Sequence, residues 1–415
     1  MQNKMTNLPQ GWEVKKLEEI ANIKGGKRLP KGENLLDNNT KFTYIRVADF
    51  QDNGTINLQN IKFINENTYN VLKNYKIYDD NLYISIAGTI GKSGIIPKEL
   101  NGAILTENAV KLEYIQNNIS NKFMYFFTLS NIFKTQIQTS TKIVAQPKLA
   151  ITRLKQIQIP LPPLKEQERI VGILDESFAK IDESIKILEQ DLLNLDELMQ
   201  SALQKAFNPL KDNAKENYKL PQGWEWKSLG EIGEIITGTT PSKNNPNFYG
   251  NEYPLFKPSD LNGDMIIKYA SDNLSKLGFD NARNLPKDTI LVVCIGAIGK
   301  VGLSGVNGSC NQQINAIIPN SAFTSKYLFF VCLSNYFQTI LKKNASQTTL
   351  PIINKTEFSK LQIPLPPIKE QEQIAKHLDF VFEKTKALKE LYTKELKDYE
   401  ELKQSLLNKA FKGEL

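Results

Sequence analysis

A twelve-residue stretch occurs twice in this chain, and each time a long proline-free segment follows it. The stretch reads IPLPPLKEQERI at 159–170 and IPLPPIKEQEQI at 363–374, with ten of twelve positions identical. Its prolines fix φ and lack a backbone N–H, so a helix can begin only after them. The chain therefore predicts an extended or polyproline lead-in followed by a fresh helix, and it predicts this unit twice.

The first long segment carries apolar residues at alternating steps of three and four, and the second carries a rougher seam of the same kind. The first seam contains Phe178, Ile181, Ile185, Leu188, Leu192, Leu195, Met199, Ala202 and Ala206. The second contains Leu378, Phe382, Thr385, Leu388, Tyr392, Leu396, Tyr399, Leu402, Leu406 and Ala410. This spacing is typical of a helix that packs along another helix. Each helix would be roughly 60 Å long at about 1.5 Å per residue.

The short segment after the first helix predicts how the two helices run. Residues 208–219 can span roughly 40 Å at most, at about 3.5 Å per residue. The domain that follows must therefore begin near the far end of the first helix. If the second helix packs along the first, it has to run back, so we expect an antiparallel pair. Two unrelated surface helices are the alternative interpretation.

The duplication extends over nearly the whole chain. LPQGWE occurs at 8–13 and 220–225, IGK at 90–92 and 298–300, and LSN at 129–131 and 333–335. Each copy predicts short strands and then a helix laid against them. The candidate strands are Thr43–Val47, Leu82–Ile86 and Thr289–Ile295, and the candidate helices are Asn121–Gln136 and Thr324–Lys342.

The predicted fold class is α+β, with two globular modules separated by a long antiparallel two-helix coiled coil and related by an internal pseudo-twofold duplication. The predicted boundaries are 1–158 for the first module, 159–207 for the lead-in and first long helix, 208–219 for the linker, 220–362 for the second module, and 363–415 for the second lead-in and helix. A length of 415 residues suits two or three domains.

The composition limits which partners and which cellular compartment are compatible with this chain. Lysine and arginine number 52 against 45 acidic residues, a net charge of +7, which is compatible with an anionic partner without proving one. Cys294, Cys310 and Cys332 are far apart in sequence, which predicts free thiols in a reducing compartment. No signal-peptide pattern and no window near the roughly 20 apolar residues of a membrane span occur. We therefore expect a cytoplasmic protein.

Catalytic equipment is scarce in the sequence. Its one histidine, His377, lies in the second long helix, where it is best read as a surface residue. GTIGKS at 88–93 has two residues where a phosphate-binding loop needs four, so a tight turn between strands is the better interpretation. Amino-methyltransferases hold a flipped adenine with an Asn-Pro-Pro-aromatic motif. The segment Asn245-Pro246-Asn247-Phe248 lacks the second proline of that motif, so a loop is the better interpretation. Any catalysis would therefore have to come from other chains.

Polar and basic residues recur in matching loops of the two copies. Side chains that donate and accept at base edges read sequence, whereas positive charge binds phosphates. The candidate DNA contacts are Lys24, Lys27, Arg28, Arg46, Lys92, Asn108, Lys142, Gln146, Thr239, Thr240, Lys243, Lys257, Lys300, Asn311, Gln312 and Gln347. Lys92 and Lys300, in equal turns, are the best phosphate candidates. Each of the sixteen candidates, taken singly, is better explained as a solvated loop residue than as a base contact, and it is their recurrence in equivalent loops that favours a common DNA-facing surface.

The arrangement resembles the specificity subunit of type I restriction-modification systems from Leu8 to Leu415. The resemblance rests on LPQGWE opening each module, IPLPP-x-KEQ closing it and a long helix following. It implies that each module is a target recognition domain, that the coiled coil spaces the two, and that this chain has no catalysis and binds no cofactor or metal. It also implies double-stranded DNA, two modification subunits and two restriction subunits as partners, which would use S-adenosylmethionine, ATP and magnesium.

The differing loops predict that the two modules read different short sequences, so the target is bipartite and asymmetric and not a palindrome. The closing motif, where the copies agree best, is expected to dock the partner subunits. The interface candidates are Lys165, Glu166, Gln167, Lys369, Glu370 and Gln371. The alternative is that this motif only orients each helix against its module.

Two other classes of function stay open at this point. The first is a free-standing bivalent DNA-binding regulator, which should bind its site tightly alone. The second is a coiled-coil scaffold without nucleic acid, which the polar loop clusters make less attractive. Binding that weakens linearly in log affinity with log salt would separate both DNA readers from the scaffold.

Overall fold

The computed structural model describes residues 8–140, 148–207, 220–346 and 350–415. Contacts divide the chain into two units, Met1–Leu188 with Lys394–Leu415, and Glu189–Thr393. Each unit contains one mixed helix and sheet module together with a segment of each long helix. The predicted α+β class, with the module repeated and a long helix between the copies in sequence, is confirmed.

The first module contains two four-stranded sheets. One sheet contains, in spatial order, Ala21–Gly25, Ala109–Tyr114, Leu82–Ser85 and Ser93–Ile95. The other contains Lys62–Phe63, Thr43–Ile45, Ala103–Leu105 and Lys76–Ile77. The α-helices are Leu17–Ile20, Glu66–Val71, Asn121–Leu129, Asn131–Ser140 and Ile151–Lys155. Short 3₁₀ turns occupy Val47–Asp49, Lys73–Tyr75 and Lys98–Leu100.

The second module repeats this plan with one more strand. Its first sheet contains Ile235–Thr237, Ile314–Ile317, Ile290–Val293, Val301–Ser304 and Ile266–Ile267. Its second sheet contains Asp272–Leu274, Tyr249–Phe256, Gly308–Cys310 and Asn284–Leu285. The helices are Leu229–Ile232, Lys276–Asp280, Ser325–Leu333, Asn335–Lys343 and Lys355–Ser359, with a 3₁₀ turn at Pro246–Phe248.

The proline-rich lead-in is a β-strand in both copies. Gln158–Leu161 pairs antiparallel with Glu13–Lys16, and Gln362–Leu365 pairs with Glu225–Ser228. A two-stranded sheet tolerates proline because each strand has an outer edge that needs no backbone donor. The opening motif and the closing motif of each copy therefore form a two-stranded sheet, which lies directly before the start of the long helix.

The helix predicted over Asn121–Gln136 is two helices, and so is its counterpart over Thr324–Lys342. The break falls at Ser130, and at Ser334 in the second copy, where the backbone is extended. Each serine hydroxyl accepts a hydrogen bond from the backbone N–H three residues later, at 3.3 Å in both copies. A serine in this position caps a new helix. The repeated LSN motif is thus the capping signal, which the apolar pattern alone concealed.

The long helices are Leu164–Ala206 and Ile368–Ala410, each of 43 residues. Within the first unit, Arg169 donates to the backbone oxygen of Leu415 and Lys403 pairs with Asp182, so the two segments run in opposite directions. Within the second unit, Lys389 pairs with Asp196, and Lys205, later in the first helix, lies beside Ile374, earlier in the second. The predicted antiparallel order therefore holds inside each unit.

The predicted seam is confirmed in the first helix and needs two corrections in the second. Leu388 and Leu402 are 38% and 46% exposed, so they do not belong to the seam. The seam passes instead through Lys389 and Lys403, one residue later in each case. Both are partly buried and reach carboxylates of the first helix. A lysine can occupy such a position because its aliphatic stem packs while its ammonium group stays with an anion.

The last turn of each long helix inserts an aromatic side chain into a module core. Phe411 is 1% exposed and its ring lies 5.1 Å from that of Phe123 and 5.5 Å from that of Phe127. Phe207, which is 2% exposed, lies 5.8 Å from Tyr327 in the second unit. The second helix therefore completes the core of the first module, and the first helix completes that of the second.

The three cysteines are buried thiols, as the sequence predicts. Burial raises the pKa of Cys294 and of Cys310 to about 12, so both stay uncharged near neutral pH. Across the four ranges that the structure describes, no helix combines the length and the apolar character needed to cross a membrane.

Candidate nucleic-acid interface

Two of the loops singled out by sequence lie against each other in the first module. The backbone N–H of Gly26 donates to Ala109 O at 2.9 Å, and that of Lys27 donates to Leu105 O at 2.9 Å. A Cβ on Gly26 would lie 2.1 Å from Thr106 O, far inside contact distance. Glycine is required here because any side chain would force the loops apart.

The second module brings the matching loops together in the same way. The backbone N–H of Gly238 donates to Ile314 O at 3.1 Å. A Cβ on Gly238 would lie 2.1 Å from Cys310 O and 2.2 Å from Asn311 O. We call residues 24–28 with 105–109, and residues 237–243 with 310–315, the paired loops of the first and second modules.

The IGK turn lies beside the paired loops in each module. Ile86, just before the first turn, donates to Asn108 O at 2.8 Å, and Cys294 donates to Gln313 O at 2.7 Å in the second module. The turns are tight: Gly91 and Gly299 have φ values of +88° and +95°. The interpretation of GTIGKS as a turn between strands is therefore confirmed.

The segments that resume at Lys148 and Leu350 lie beside the IGK turns. The backbone N–H of Leu149 donates to Ile86 O at 2.8 Å, and that of Ile353 donates to Cys294 O at 2.9 Å. Three predicted DNA contacts that precede these residues in the chain, Lys142, Gln146 and Gln347, lie outside the described residues.

Charged pairs line the paired loops of the first module. Arg28 Nε donates to Glu107 Oε1 at 2.7 Å, and Lys24 pairs with Glu113 at 2.5 Å. Burial alone would raise the pKa of Glu107, but hydrogen bonds from Arg28, the backbone and Thr106 outweigh it and lower that pKa. The carboxylate therefore stays charged and fixes one edge of the arginine.

Neutral pairs dominate the paired loops of the second module. Thr240 Oγ1 donates to Gln312 Oε1 at 2.8 Å, and Thr237 Oγ1 donates to Asn315 Oδ1 at 2.7 Å. Arg283 Nη1 donates to the backbone oxygen of Thr237 at 2.6 Å. The same backbone frame therefore presents different chemistry in the two modules.

Asp272 holds two of the predicted lysines of the second module. Lys257 pairs with it closely and Lys243 lies 3.6 Å away. The hydrogen bond from Lys257 is the main cause that lowers the pKa of Asp272, against a smaller raising effect of burial. One carboxylate thus holds both lysines, and a second, Asp260, accepts from the backbone N–H of Lys257 at 2.8 Å.

Other candidates are engaged inside the modules. Arg46 makes two hydrogen bonds to Asp49, whose side chain is 2% exposed. Asn311 is 7% exposed and donates to Gln313 Oε1 at 2.9 Å. These geometries give both residues an internal role, and a DNA contact by either stays a prediction.

The two turn lysines are tethered but reach the surface. Lys92 pairs with Asp52 at 2.7 Å, and Lys300 donates to the backbone oxygen of Pro258 at 3.1 Å. Lys300 is exposed, whereas the side chain of Lys92 is 23% exposed. Their role as phosphate contacts stays a prediction. The remaining candidates, Lys27 and Thr239, lie in the paired loops defined above.

Sequence reasoning missed two basic residues at this edge. Arg283 was not among the predicted contacts, although it directly precedes the strand Asn284–Leu285, whose counterpart in the first module is Lys76–Ile77. Lys134 lies with Lys92 on a cavity of about 370 Å³ beside the first IGK turn. Burial lowers the pKa of Lys134. The LSN helix break could have indicated this lysine, since it follows the capping serine by one turn.

The segment Asn245-Pro246-Asn247-Phe248, which resembles part of an adenine-binding motif, forms a turn held by local hydrogen bonds. Asn245 Oδ1 accepts from the backbone N–H of Asn247 at 3.2 Å, and Phe248 N donates to Asn245 O at 3.2 Å. His377 is exposed on the second long helix. Among the residues that can be described, no group of three or more His, Cys, Asp or Glu side chains is placed to hold a metal ion.

Gln167 and Gln371 are buried inside the chain and not presented to a partner. Each is 1% exposed. The side-chain oxygen of Gln371 accepts from Thr324 N at 2.9 Å, while its amide nitrogen donates to Pro366 O at 2.9 Å and Ala322 O at 3.3 Å. Gln167 makes the equivalent bonds in the first module. These glutamines therefore orient each long helix against its module, which favours the alternative interpretation for them.

The other residues of the closing motif differ in exposure. Glu370 accepts from the indole N–H of Trp224 at 3.0 Å, whereas Glu166 pairs with Arg169 at 2.7 Å. Lys165 and Lys369 are exposed. Partner docking through these lysines stays a prediction.

Replacing Gln371 by leucine is expected to lower the free energy of unfolding of the second module by about 1–3 kcal/mol, because a buried N–H and two carbonyls lose their partner. Gln373→Leu, on the exposed side of the same helix, is the matched control and should change it by less than about 0.5 kcal/mol. Native-state hydrogen exchange of Ser325–Leu333 measures both. Equal protection in the two variants would contradict the orienting role.

Comparison with known proteins places the chain in a family. The family model described as type I restriction modification DNA specificity domain matches residues 9–192 and again 221–398. The chain is 34% identical to the HindI specificity subunit of Haemophilus influenzae over 47% of its own length and 42% of that protein. It is 24% identical to the StySPI specificity subunit of Salmonella potsdam over 98% of its length and 90% of that protein.

A solved structure supports the same assignment at the level of fold. It is described as the structural basis of complex assembly and conformational transition of a type I restriction-modification system. The match has a TM-score of 0.79 at 21% identity and covers 99% of this chain and all of that one. Because the family model matches both copies of the duplicated unit, the chain belongs to the type I restriction-modification DNA specificity family.

Proposed function

We propose that this chain is the DNA-recognition subunit of a type I restriction-modification complex, in which each module reads one half of a bipartite, asymmetric target. The observation that carries the proposal is the pair of loops that meets beside an IGK turn in each module. The backbone hydrogen bond of the glycine recurs in both copies, yet the side chains around it differ. Equivalent frames with unlike side chains suit the reading of two unlike sequences.

The electrostatics of the edge agree with a polyanionic ligand. Arg28, Lys243 and Lys300 are exposed there, and the chain carries a net charge of +7. Arginine and lysine supply the phosphate contacts that position a protein on DNA, and uncharged amides and hydroxyls add base contacts. Both kinds of group occur in each module.

Partner subunits would supply the chemistry in this proposal. Methyl transfer would use S-adenosylmethionine on two modification subunits, and cleavage would use ATP and magnesium on two restriction subunits. The chain itself would be non-catalytic and would act in the cytoplasm, where buried thiols stay reduced. Its role would be to choose the site.

Deleting the gene for this chain is expected to remove one bipartite methylation motif from the host genome. The measurement is a genome-wide map of methylated bases in the parent, the deletion strain and a strain complemented with the wild-type gene. The motif should disappear and return while motifs of other methyltransferases stay constant. An unchanged map, or methyl transfer by the purified chain alone, would contradict the proposal.

A further inference from the structure

A side-chain pair bridges the paired loops at matching positions in the two modules. Gly26 and Gly238 occupy equal places at the loop contact, so Arg28 matches Thr240, two residues later in each copy. The facing loops of the two modules can be aligned in the same way. A Cβ on Gly26 would meet the backbone oxygens of residues 105 and 106, and one on Gly238 would meet those of residues 310 and 311, so position 107 corresponds to position 312. The partners are Glu107 in the first module and Gln312 in the second. One position in the frame therefore carries a charged pair in one copy and a neutral pair in the other.

Arg28 is held on one edge and open on the other. Its Nε donates to Glu107 Oε1 at 2.7 Å, and its side chain is 80% exposed. Within the described residues, no further acceptor engages the guanidinium group. Glu107 is in turn fixed by Thr106, whose Oγ1 donates to Glu107 Oε2 at 3.0 Å. The arginine therefore points a preorganised pair of N–H groups outward.

Gln312 is oriented by a hydroxyl in place of a charge. Thr240 Oγ1 donates to Gln312 Oε1 at 2.8 Å, and both residues are exposed. This hydrogen bond holds the amide beside Thr240, with Oε1 toward the hydroxyl. It leaves the amide N–H₂ and one lone pair of Oε1 for a ligand. The glutamine therefore presents one donor and one acceptor side by side.

These two patterns match different bases in the major groove. Two parallel N–H donors complement O6 and N7 of guanine, and the arginine to guanine contact is the commonest of this kind. An amide donor beside an amide acceptor complements N7 and the N6 amino group of adenine. The pairs thus differ in the one property that distinguishes the two purines.

Other polar residues at this edge are less free to read a base. Arg46 has two hydrogen bonds to a buried aspartate, and Asn311 is 7% exposed and bonded to its neighbour. Lys24 is exposed but already pairs with Glu113 at 2.5 Å. Among the described polar residues of this edge, the bridging pairs combine exposure, a second residue that orients the side chain, and a matching position in both modules.

We infer that the pair Arg28 and Glu107 selects a guanine in one half-site, and that the pair Thr240 and Gln312 selects an adenine in the other. This inference rests on the proposed function. Arg28 and Gln312 make the base contacts, and Glu107 and Thr240 are positioning residues. Exchanging the pairs should therefore exchange the base read at one position of each half-site.

The test exchanges the pairs in the full chain assembled with its partner subunits. Arg28→Thr with Glu107→Gln gives the first module the pair of the second, and Thr240→Arg with Gln312→Glu does the reverse. The first double variant should replace one guanine by adenine in one half-site, with a change in discrimination of about 10–100-fold at that position. The reverse variant should replace adenine by guanine in the other half-site. Methylation motifs in the host and binding to oligonucleotides with each base at that position measure both.

The matched control removes another surface ion pair of the first module. Lys62→Thr with Asp37→Asn deletes a pair of the same charge type, away from the paired loops. It should leave the motif unchanged. Arg28→Lys keeps the charge but loses the bidentate fork, so it should relax the guanine position while the salt dependence of binding stays the same. If a double variant fails to assemble, this single variant decides.

The possible outcomes distinguish a failure of the base-selection inference from a failure of the proposed function. A motif that never depends on this chain overturns the proposed function. A motif that depends on the chain but keeps its bases in both double variants overturns the inference alone. So does a change at several positions of both half-sites, since that would indicate general loosening and not base choice. A single exchanged position in each half-site supports both.

Discussion

Phe411→Ala is expected to lower the free energy of unfolding of the first unit by about 3–5 kcal/mol. The side chain is 1% exposed and packs on Phe123 and Phe127 at the centre of that unit's core. Removing the ring loses the free energy gained by burying it. It also leaves a cavity between Phe123 and Phe127, and the surrounding core can fill this cavity only in part. Hydrogen exchange of Asn121–Leu129 and urea denaturation provide the measurement.

Two variants make this result specific. Phe380→Ala truncates the same residue type on the same helix, but at a site that is 63% exposed, so it should cost less than about 0.5 kcal/mol. Phe207→Ala should weaken the second unit and leave exchange in the first unchanged. A loss below about 1 kcal/mol for Phe411→Ala would show that the helix end only rests on the module.

Gly238→Ala is expected to abolish discrimination in one half-site and to lower DNA affinity of the assembled complex about 100-fold, equivalent to about 3 kcal/mol. The new Cβ would lie 2.1 Å from Cys310 O, so the paired loops must separate by more than about 1 Å. That separation breaks the Thr240 to Gln312 hydrogen bond, whose length is 2.8 Å. Stability should also fall by about 1–3 kcal/mol, because the loops are overpacked.

The control is Gly172→Ala, in the first long helix. A Cβ there meets nothing within 4 Å, and alanine favours helix, so stability should rise by about 0.5–1 kcal/mol with unchanged DNA discrimination. Binding is measured against oligonucleotides in which one half-site at a time is scrambled. If Gly238→Ala still discriminates fully at both half-sites, the contact between the paired loops does not position Thr240 and Gln312 for base recognition.

The duplication made most of the architecture predictable. Offsets between LPQGWE, IGK, LSN and the closing motif predicted two equivalent modules, and the heptad pattern located both long helices, but only three of the strands were predicted. The errors came where a local hydrogen bond outweighed an apolar pattern. Ser130 capped a new helix inside a continuous hydrophobic run. Lys389 and Lys403 occupied seam positions because their stems pack while their ammonium groups reach Asp196 and Asp182.

The candidate site was predictable as a set of loops but not as a set of pairs. Composition and recurrence identified residues 24–28 and 237–243, yet neither shows that Arg28 meets Glu107 across 79 positions of chain. Such pairings follow from sheet order and from two glycines that let backbones touch. Composition also cannot distinguish an arginine that faces solvent from Arg46, which is bound to a buried aspartate.

The docking of Phe411 in the first unit has a consequence for how the protein matures on the ribosome. Helix Asn121–Leu129 emerges early, yet the ring that fills its core is translated after the entire second module. Until then the nascent first module exposes Phe123 and Phe127, which are good substrates for a holding chaperone. A pause in translation ahead of the second helix should therefore prolong chaperone occupancy at the N-terminal half, although every strand of that half has already been made.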